Sequence, residues 1–419
     1  MHYARTASKL REQIIQFSGE LTSNWPKVGR RFLAEAIYGI QARQSVRLTE
    51  IGRALDEKIP LRKTQYRLCR QLGREELGAW LRRALLRRAA KYVEKKTLLI
   101  LDLSDITKKY ARKMEHLARV RDGSAKELGN GYWTCSVIAA ELKKPNLVPL
   151  YGELYSHKSP GFISENNEII SAIRQVSQAS AKKGVWVLDR GGDRGDLYKY
   201  FLKEKLNFLI RLRQDRKLLY RGKISRVLEL AKRCPLPYAE HLVKREGGQE
   251  RGYNLLFGSI PVKLPGHDEP LFLVVVDGFG REPMMLLTTQ HITRSRKSHW
   301  QIVQSYLTRW RIEETIRFFK QSYQLEDIRL LTYRRLQNMM SILTAVIYFA
   351  MVYLGLRVKM RILARNILRA SRRVFGIPDF HFYALADGIR DLLFGRQKGL
   401  QEHFSPHNPI QPQLQLFSP

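Results

Sequence analysis

The chain has 419 residues, of which 44% are hydrophobic and 27% are charged, so it is long enough to bury one large core or several. Lysine and arginine number 74 against 39 aspartate and glutamate, and the formal charge of +35 predicts a polyanionic partner. The three cysteines form no C-x-x-C pair, which argues against a disulfide framework or a cysteine zinc site and is typical of a reducing cytoplasm.

Two regions of the sequence decide whether a secretory signal or a membrane span is expected. The first residues lack the apolar run of a secretory signal, so we expect a cytoplasmic protein. The stretch 339–356 has 18 residues without a formal charge, which is near the lower limit for a membrane span. Because four hydroxyl-bearing side chains interrupt it, we predict a buried core helix and no membrane partner.

Residues 1–95 are predicted to form a helical domain that binds DNA. Leu48, Ile51 and Leu55 recur at helical spacing, and residues 61–96 contain 12 lysines and arginines against three acidic residues. The segments on either side of Pro60 are compatible with a helix-turn-helix.

From residue 96 the pattern becomes strands alternating with helices, which predicts an α/β fold with a mixed sheet. One apolar strand ends at Asp102, and a second, Val185 to Leu188, is followed by Asp189. The predicted divisions are a first part of the core at 96–214, a β-rich insertion at 215–283, the remainder of the core at 284–345, and a C-terminal helical region with a frayed tail at 346–419. The strand beginning at residue 284 is expected to rejoin the main sheet.

A long helix is predicted from Ser298 to Tyr323. At 100° per residue, Tyr306, Arg309, Glu313 and Lys320 fall within about 60° of one another and form a polar stripe. The alternative to a functional stripe is a solvated helix face with ordinary ion pairs.

The two strand-end aspartates favour the functional interpretation. Asp102, Asp189 and Glu313 supply the hard oxygen ligands that a pair of Mg²⁺ or Mn²⁺ ions needs for phosphoryl transfer. Asp105 is a rival for the first position, but Asp102 directly follows the predicted strand and is preferred. Asp193, with its neighbour Asp196, is better explained by a turn before the next helix.

Trp300 precedes the predicted catalytic helix. Its ring is a candidate for stacking on an unpaired base, because aromatic faces accept bases without sequence preference. Packing of the helix is the alternative role for the same side chain.

The four residues of the polar stripe also resemble a known family signature. Tyr306, Arg309, Glu313 and Lys320 match the Y-(2)-R-(3)-E-(6)-K signature of DDE transposases of the insertion-sequence-four family, and the two aspartates and the β-rich insertion are similar to that family as well.

The resemblance implies a ribonuclease-H-like catalytic core that cleaves the terminal inverted repeats of an insertion sequence and joins them to target DNA. It also implies a homodimer in a paired-end complex, associated with a prokaryotic nucleoid. Glu313 would be the third metal ligand, while Tyr306, Arg309, Lys320 and Arg190 would contact DNA phosphates. Two alternatives stay open: a ribonuclease-H-like nuclease that cuts without joining, and a catalytically inactive basic protein that binds DNA or RNA.

Overall fold

The computed structural model describes residues 3–121, 127–142, 144, 146–246, 249–355, 358–360, 362, 382–394 and 400. Most of the predicted C-terminal region 346–419, including its tail, lies outside these residues. The helices are α1 (Tyr3–Leu21), α2 (Lys27–Arg43), α3 (Leu48–Leu55), α4 (Leu61–Leu72), α5 (Leu77–Ala89), α6 (Glu165–Ala179), α7 (Gly195–Lys203), α8 (Val227–Arg233), α9 (Arg296–Leu307), α10 (Trp310–Ser322), α11 (Tyr333–Tyr348) and α12 (Phe382–Phe394).

The structure is a mixed α/β fold around one large sheet. The strands are β1 (Leu98–Thr107), β2 (Ala118–Arg121), β3 (Leu128–Ala140), β4 (Leu147–Tyr155), β5 (Val185–Leu188), β6 (Asn207–Arg211), β7 (Lys217–Tyr220), β8 (Lys223–Arg226), β9 (Tyr238–Glu246), β10 (Gln249–Val262), β11 (Leu271–Asp277) and β12 (Met284–Thr288). The ten-stranded sheet has the order β2-β3-β1-β5-β6-β12-β11-β10-β9, with β4 also paired to β3.

The centre of this sheet is parallel and buried. β1 pairs parallel to β5, and β5 pairs parallel to β6. Their apolar runs, Leu98 to Leu101 and Val185 to Leu188, are buried, as expected for strands that are covered on both faces. On its other side β1 pairs antiparallel with β3 along its whole length, from Leu98 to Thr107. The predicted end of this strand at Asp102 is therefore wrong: the strand continues, and only its pairing with β5 stops.

The β-rich segment after residue 214 is largely part of the same sheet. β12 pairs antiparallel with β6, so the strand beginning at Met284 does join the main sheet. β11, β10 and β9 then extend the sheet by antiparallel pairing, and only β7 and β8 form a separate hairpin. The segment predicted as a β-rich insertion lies between β6 and β12 in the chain, and its strands β9 to β11 extend the sheet beyond β12.

The N-terminal helices share a core with the rest of the chain. The buried Gln41 side chain of α2 donates to the carbonyl of Val346 at 3.0 Å, and Gln44 donates to Asp387 of α12 at 2.9 Å. Asn338 of α11 likewise donates to the carbonyl of Leu72 at 2.8 Å. These buried contacts fix the orientation of α1 to α5 against the sheet domain.

The predicted helix from 298 to 323 is two helices. α9 ends at Leu307 and α10 begins at Trp310, and between them the amide of Arg309 bonds to the carbonyl three residues back, at 3.0 Å. The hydroxyls of Ser305 and Thr308 donate to carbonyls four residues earlier, at 2.7 and 2.8 Å, and such bonds bend helices. The stripe therefore does not lie on one straight helix.

The apolar helix is a core element. Residues Tyr333–Tyr353 are long and apolar enough to span a membrane, but 83% of the most apolar window is buried inside the protein. Such burial is typical of a core helix, because a lipid-facing helix would be exposed over much of its surface.

Candidate active site

Asp102 and Asp189 are neighbours across the parallel pair of strands. Leu98 pairs with Val185 and Ile100 with Val187, so the register offset is 185 − 98 = 87 residues. Asp102 and Asp189 are also 189 − 102 = 87 residues apart, and continuing the register by two residues sets them opposite each other. Neighbouring strands are about 4.8 Å apart, so the two carboxylates stand side by side where the parallel pairing ends.

The third carboxylate comes from the first turn of α10. Glu313 is about half exposed and accepts a hydrogen bond from Nη2 of Arg309 at 2.6 Å. Arg309 itself is buried, and its guanidinium lies 5.7 Å from the ring centre of Tyr306. The junction between α9 and α10 thus sets a buried cation beside Glu313.

The electrostatics of Asp102 link all these groups. Burial and the neighbouring charges of Asp189 and Glu313 raise its pKa to about 7, while Arg309 acts in the opposite direction. Burial lowers the pKa of Arg309, but Tyr306, Glu313 and Asp102 outweigh that effect and hold it above its usual range. Asp102, Asp189 and Glu313 therefore form one interacting group with Arg309 as its internal counter-ion.

Asp105, the rival first ligand, has other partners. It is buried on β1, accepts a hydrogen bond from the Thr107 hydroxyl at 2.9 Å, and lies 3.5 Å from Nζ of Lys320. Because side chains alternate along a strand, Asp102 and Asp105 point to opposite faces of β1, and of the two only Asp105 forms an ion pair with Lys320 among the described residues.

The remaining aspartates near Asp189 have structural roles. Asp193 is fully buried and accepts hydrogen bonds from Nε of Arg216 at 2.7 Å and the Tyr198 hydroxyl at 3.0 Å. Asp196 lies in the first turn of α7 and accepts from Asn166 at 2.8 Å. Both positions agree with the prediction of a turn that leads into a helix.

The three carboxylates fit a hard divalent cation in their chemistry, although not yet in their arrangement. Among the described residues, no three His, Cys, Asp or Glu side chains are arranged to hold a metal ion. Asp189 Oδ1 accepts from the Gly191 amide at 2.7 Å, and Glu313 bonds to Arg309. The raised pKa of Asp102 nevertheless reflects burial first and repulsion from Asp189 and Glu313 second, and a dication would relieve that repulsion. To ligate a metal ion, the carboxylate of Glu313 must either turn away from Arg309 or bind the ion while it stays bonded to Arg309.

A groove of about 580 Å³ adjoins this group and is called here the arginine groove. Its lining includes Arg190, directly after Asp189, and the buried Tyr306, whose hydroxyl has no hydrogen-bond partner among the described residues. The other lining residues were not predicted, and they include Arg211, Tyr253, Arg281 and Trp310 as well as one carboxylate, Glu282. Arg211 ends β6 just as Asp189 follows β5, so its position at a strand end was the sequence signal for this residue.

Trp300 packs within the fold. Its ring lies 5.6 Å from that of Phe257 and packs against the hydrophobic core. Of its two predicted roles, the structure supports helix packing and gives no support to stacking on a base.

A comparison with protein-family models finds that residues 155–349, just under half of the chain, match the transposase DDE domain. A comparison with curated protein sequences finds no match. Among solved structures, the fold is loosely similar to a cryo-EM structure of a piggyBac transposase synaptic complex with hairpin DNA. That likeness has a TM-score of 0.43 and 11% identity, and it covers 95% of this chain and 80% of that chain. The matched residues include Asp189, Glu313 and the whole Tyr306–Lys320 segment, and the family match supports a DDE transposase.

Proposed function

We propose that this chain is a DNA transposase that cleaves the ends of an insertion sequence and joins them to target DNA. The observation that carries the proposal is the convergence of Asp102, Asp189 and Glu313, two from adjacent parallel strands and one from α10. Asp102 is buried beside the charges of Asp189 and Glu313, an arrangement that is costly to maintain, so a role in binding a divalent cation is a better explanation than packing.

Asp102, Asp189 and Glu313 would hold Mg²⁺ or Mn²⁺, two ions in the full site. When bound, the ions supply activation of water or of a 3′-hydroxyl and stabilisation of the leaving oxygen. Asp102 has to lose its proton before it ligates, and its pKa of about 7 lets it do so near neutral pH. Arg309 remains as a fixed positive charge beside the reacting phosphate.

The DNA strand next to the cut would lie along the arginine groove. Arg190, Arg211 and Arg281 would offer three cations to the phosphates, against one lining carboxylate, Glu282. Tyr306 would contact a phosphate once its buried hydroxyl, which has no hydrogen-bond partner among the described residues, becomes accessible. Lys320, bound to Asp105, would act mainly by supporting β1, a role that differs from the phosphate contact implied by the resemblance.

We propose a ribonuclease-H-like core for residues 98–211. The strand order β4-β3-β1-β5-β6, with the first three strands antiparallel and the last three parallel, supports this. As the Tyr306–Lys320 signature implies, we further propose a homodimer acting on paired inverted repeats in the prokaryotic cytoplasm, on nucleoid DNA.

A strand-transfer assay tests the proposal. Purified protein is incubated with Mg²⁺ and a DNA fragment that carries the ends of the element encoding it, and both cleaved and joined products are scored. We expect wild type to form both products, whereas Asp102→Asn, Asp189→Asn and Glu313→Gln bind DNA and form neither. Cleavage without joined products favours the nuclease alternative, and full activity of Glu313→Gln contradicts the carboxylate site altogether.

A further inference from the structure

A second groove, distant in sequence from the carboxylates, lies between the end of α1 and one face of α5. It has a volume of about 420 Å³ and is called here the Trp80 groove. Its lining includes Trp25 and Trp80, whose ring centres are 5.9 Å apart, and three cations: Arg83, Arg87 and Lys91. Trp80 remains 37% exposed, which is high for a tryptophan in a folded protein.

The three cations form a regular, exposed row. They are spaced four residues apart, from α5 into the short 3₁₀ turn that follows it, so they point the same way and span about 12 Å. None of the three has an ion-pair partner within the part of the chain that the structure describes. The one lining carboxylate, Glu20, is already bound to Arg88 at 2.6 Å, so it does not neutralise the row.

The basic row continues towards β1. Exposed Lys95 and Lys96 follow it, just before β1 begins. The strand that carries Asp102 therefore starts directly after these two lysines.

We propose that the Trp80 groove binds the sugar-phosphate backbone of duplex DNA, away from the cut. The row of three cations spans three to four nucleotides at about 3.4 Å per nucleotide of one strand. The exposed ring of Trp80 offers an apolar surface to the sugars between those phosphates. The contact orients the DNA and carries no sequence information, which separates it from the helix-turn-helix predicted in α3 and α4. The inference rests on the part of the proposed function that makes DNA the partner.

The salt dependence of DNA binding tests this inference under conditions in which no DNA is cleaved. In EDTA and a Glu313→Gln background, a triple variant Arg83→Gln, Arg87→Gln, Lys91→Gln is titrated with duplex DNA at 50–300 mM KCl. Because each phosphate contact contributes about 0.9 to the slope of log K against log salt, we expect the slope to fall by about 2.7. At 0.1 M salt this corresponds to roughly 500-fold weaker binding.

The matched control removes three exposed charges from α7 and α8: Lys199→Gln, Lys203→Gln and Lys232→Gln. Charges beyond about 10 Å are screened at this ionic strength, so the control should change the slope by less than about 0.5. Circular dichroism spectra and thermal midpoints identical to the parent's, expected because all six positions are exposed, complete the comparison.

The outcomes separate this inference from the proposed function. Equal slopes for the groove variant and the control overturn the inference, as does tighter binding of duplex RNA than of duplex DNA. If wild type cuts and joins DNA but the slopes are equal, the inference alone fails. If wild type neither cuts nor joins DNA, but the slope of log K against log salt falls as expected in the groove variant, the enzymatic proposal fails. The inference that the Trp80 groove binds DNA is then retained.

Discussion

Replacing Asp102 with asparagine should stabilise the metal-free protein while removing its activity. The folded-state pKa of about 7 exceeds the ordinary value of 3.8, so the folded protein binds this proton more tightly than the unfolded chain does. Wild-type stability therefore falls as the pH rises from about 4 to about 7, and above that range the ionised carboxylate costs up to about 4 kcal/mol. Because the side chain keeps some contact with solvent, we expect about half of that cost, roughly 2 kcal/mol.

Asparagine carries no such cost, and the gain is measurable as a shift in melting temperature. For a chain of this length, 2 kcal/mol corresponds to roughly 2 °C in Tm. We expect Asp102→Asn to melt about 2 °C above wild type at pH 8 in EDTA, by scanning calorimetry, and less than about 1 °C above it at pH 5. Asp105→Asn is the control and should lower Tm at both pH values, since it weakens contacts to Lys320 and Thr107. A Tm for Asp102→Asn equal to or below that of wild type at pH 8 would refute the reasoning.

Three further substitutions test the roles assigned to neighbouring side chains. Lys320→Gln removes the cation beside buried Asp105 and should lower the free energy of unfolding by about 1–2 kcal/mol in urea, with Mn²⁺ affinity unchanged. Asp193→Ala leaves Arg216 without its buried partner and should cost about 3 kcal/mol in the same assay. Trp300→Ala removes a packing ring and should cost about 2 kcal/mol while leaving DNA affinity within about twofold of wild type.

Each of these expectations has a contrary result. Loss of Mn²⁺ binding in Lys320→Gln would mean that Asp105 belongs to the metal site. A fully stable Asp193→Ala protein with no DNA cleavage would mean that Asp193 acts in catalysis and does not stabilise the fold. A large loss of DNA affinity in a stable Trp300→Ala protein would restore the stacking role predicted from the sequence.

The sequence alone identified the two aspartates at sheet positions because buried parallel strands are continuous apolar runs, and both runs precede an aspartate. It could not show that their 87-residue separation equals the register offset of β1 and β5, since strand register depends on contacts distant in the chain. For the same reason the extent of β1 was wrong. Residues 103–107 pair only with β3, and their polar pattern alone resembles the start of a loop.

The elements that the sequence did not predict are short or exposed. β2 has four residues, and β9 is an edge strand whose charged and polar side chains resemble a loop, as is usual for strands that must avoid further pairing. The break between α9 and α10 leaves the helical backbone angles nearly intact, so the hydroxyls of Ser305 and Thr308 were the one local signal of it. The arginine groove draws residues from several elements, and no local pattern could assemble Arg190, Arg211 and Arg281.

Binding of Mn²⁺ at pH 8, followed by calorimetry, tests most directly the central claim that Asp102, Asp189 and Glu313 form a divalent-metal site. Wild type should bind the ion with little proton release at pH 8, and a repeat at pH 7, where Asp102 titrates, should show release of protons. Asp102→Asn, Asp189→Asn and Glu313→Gln should each bind at least about tenfold more weakly, and Asp105→Asn should bind as wild type does. Wild-type affinity in Glu313→Gln, or loss of binding in Asp105→Asn alone, would contradict the account.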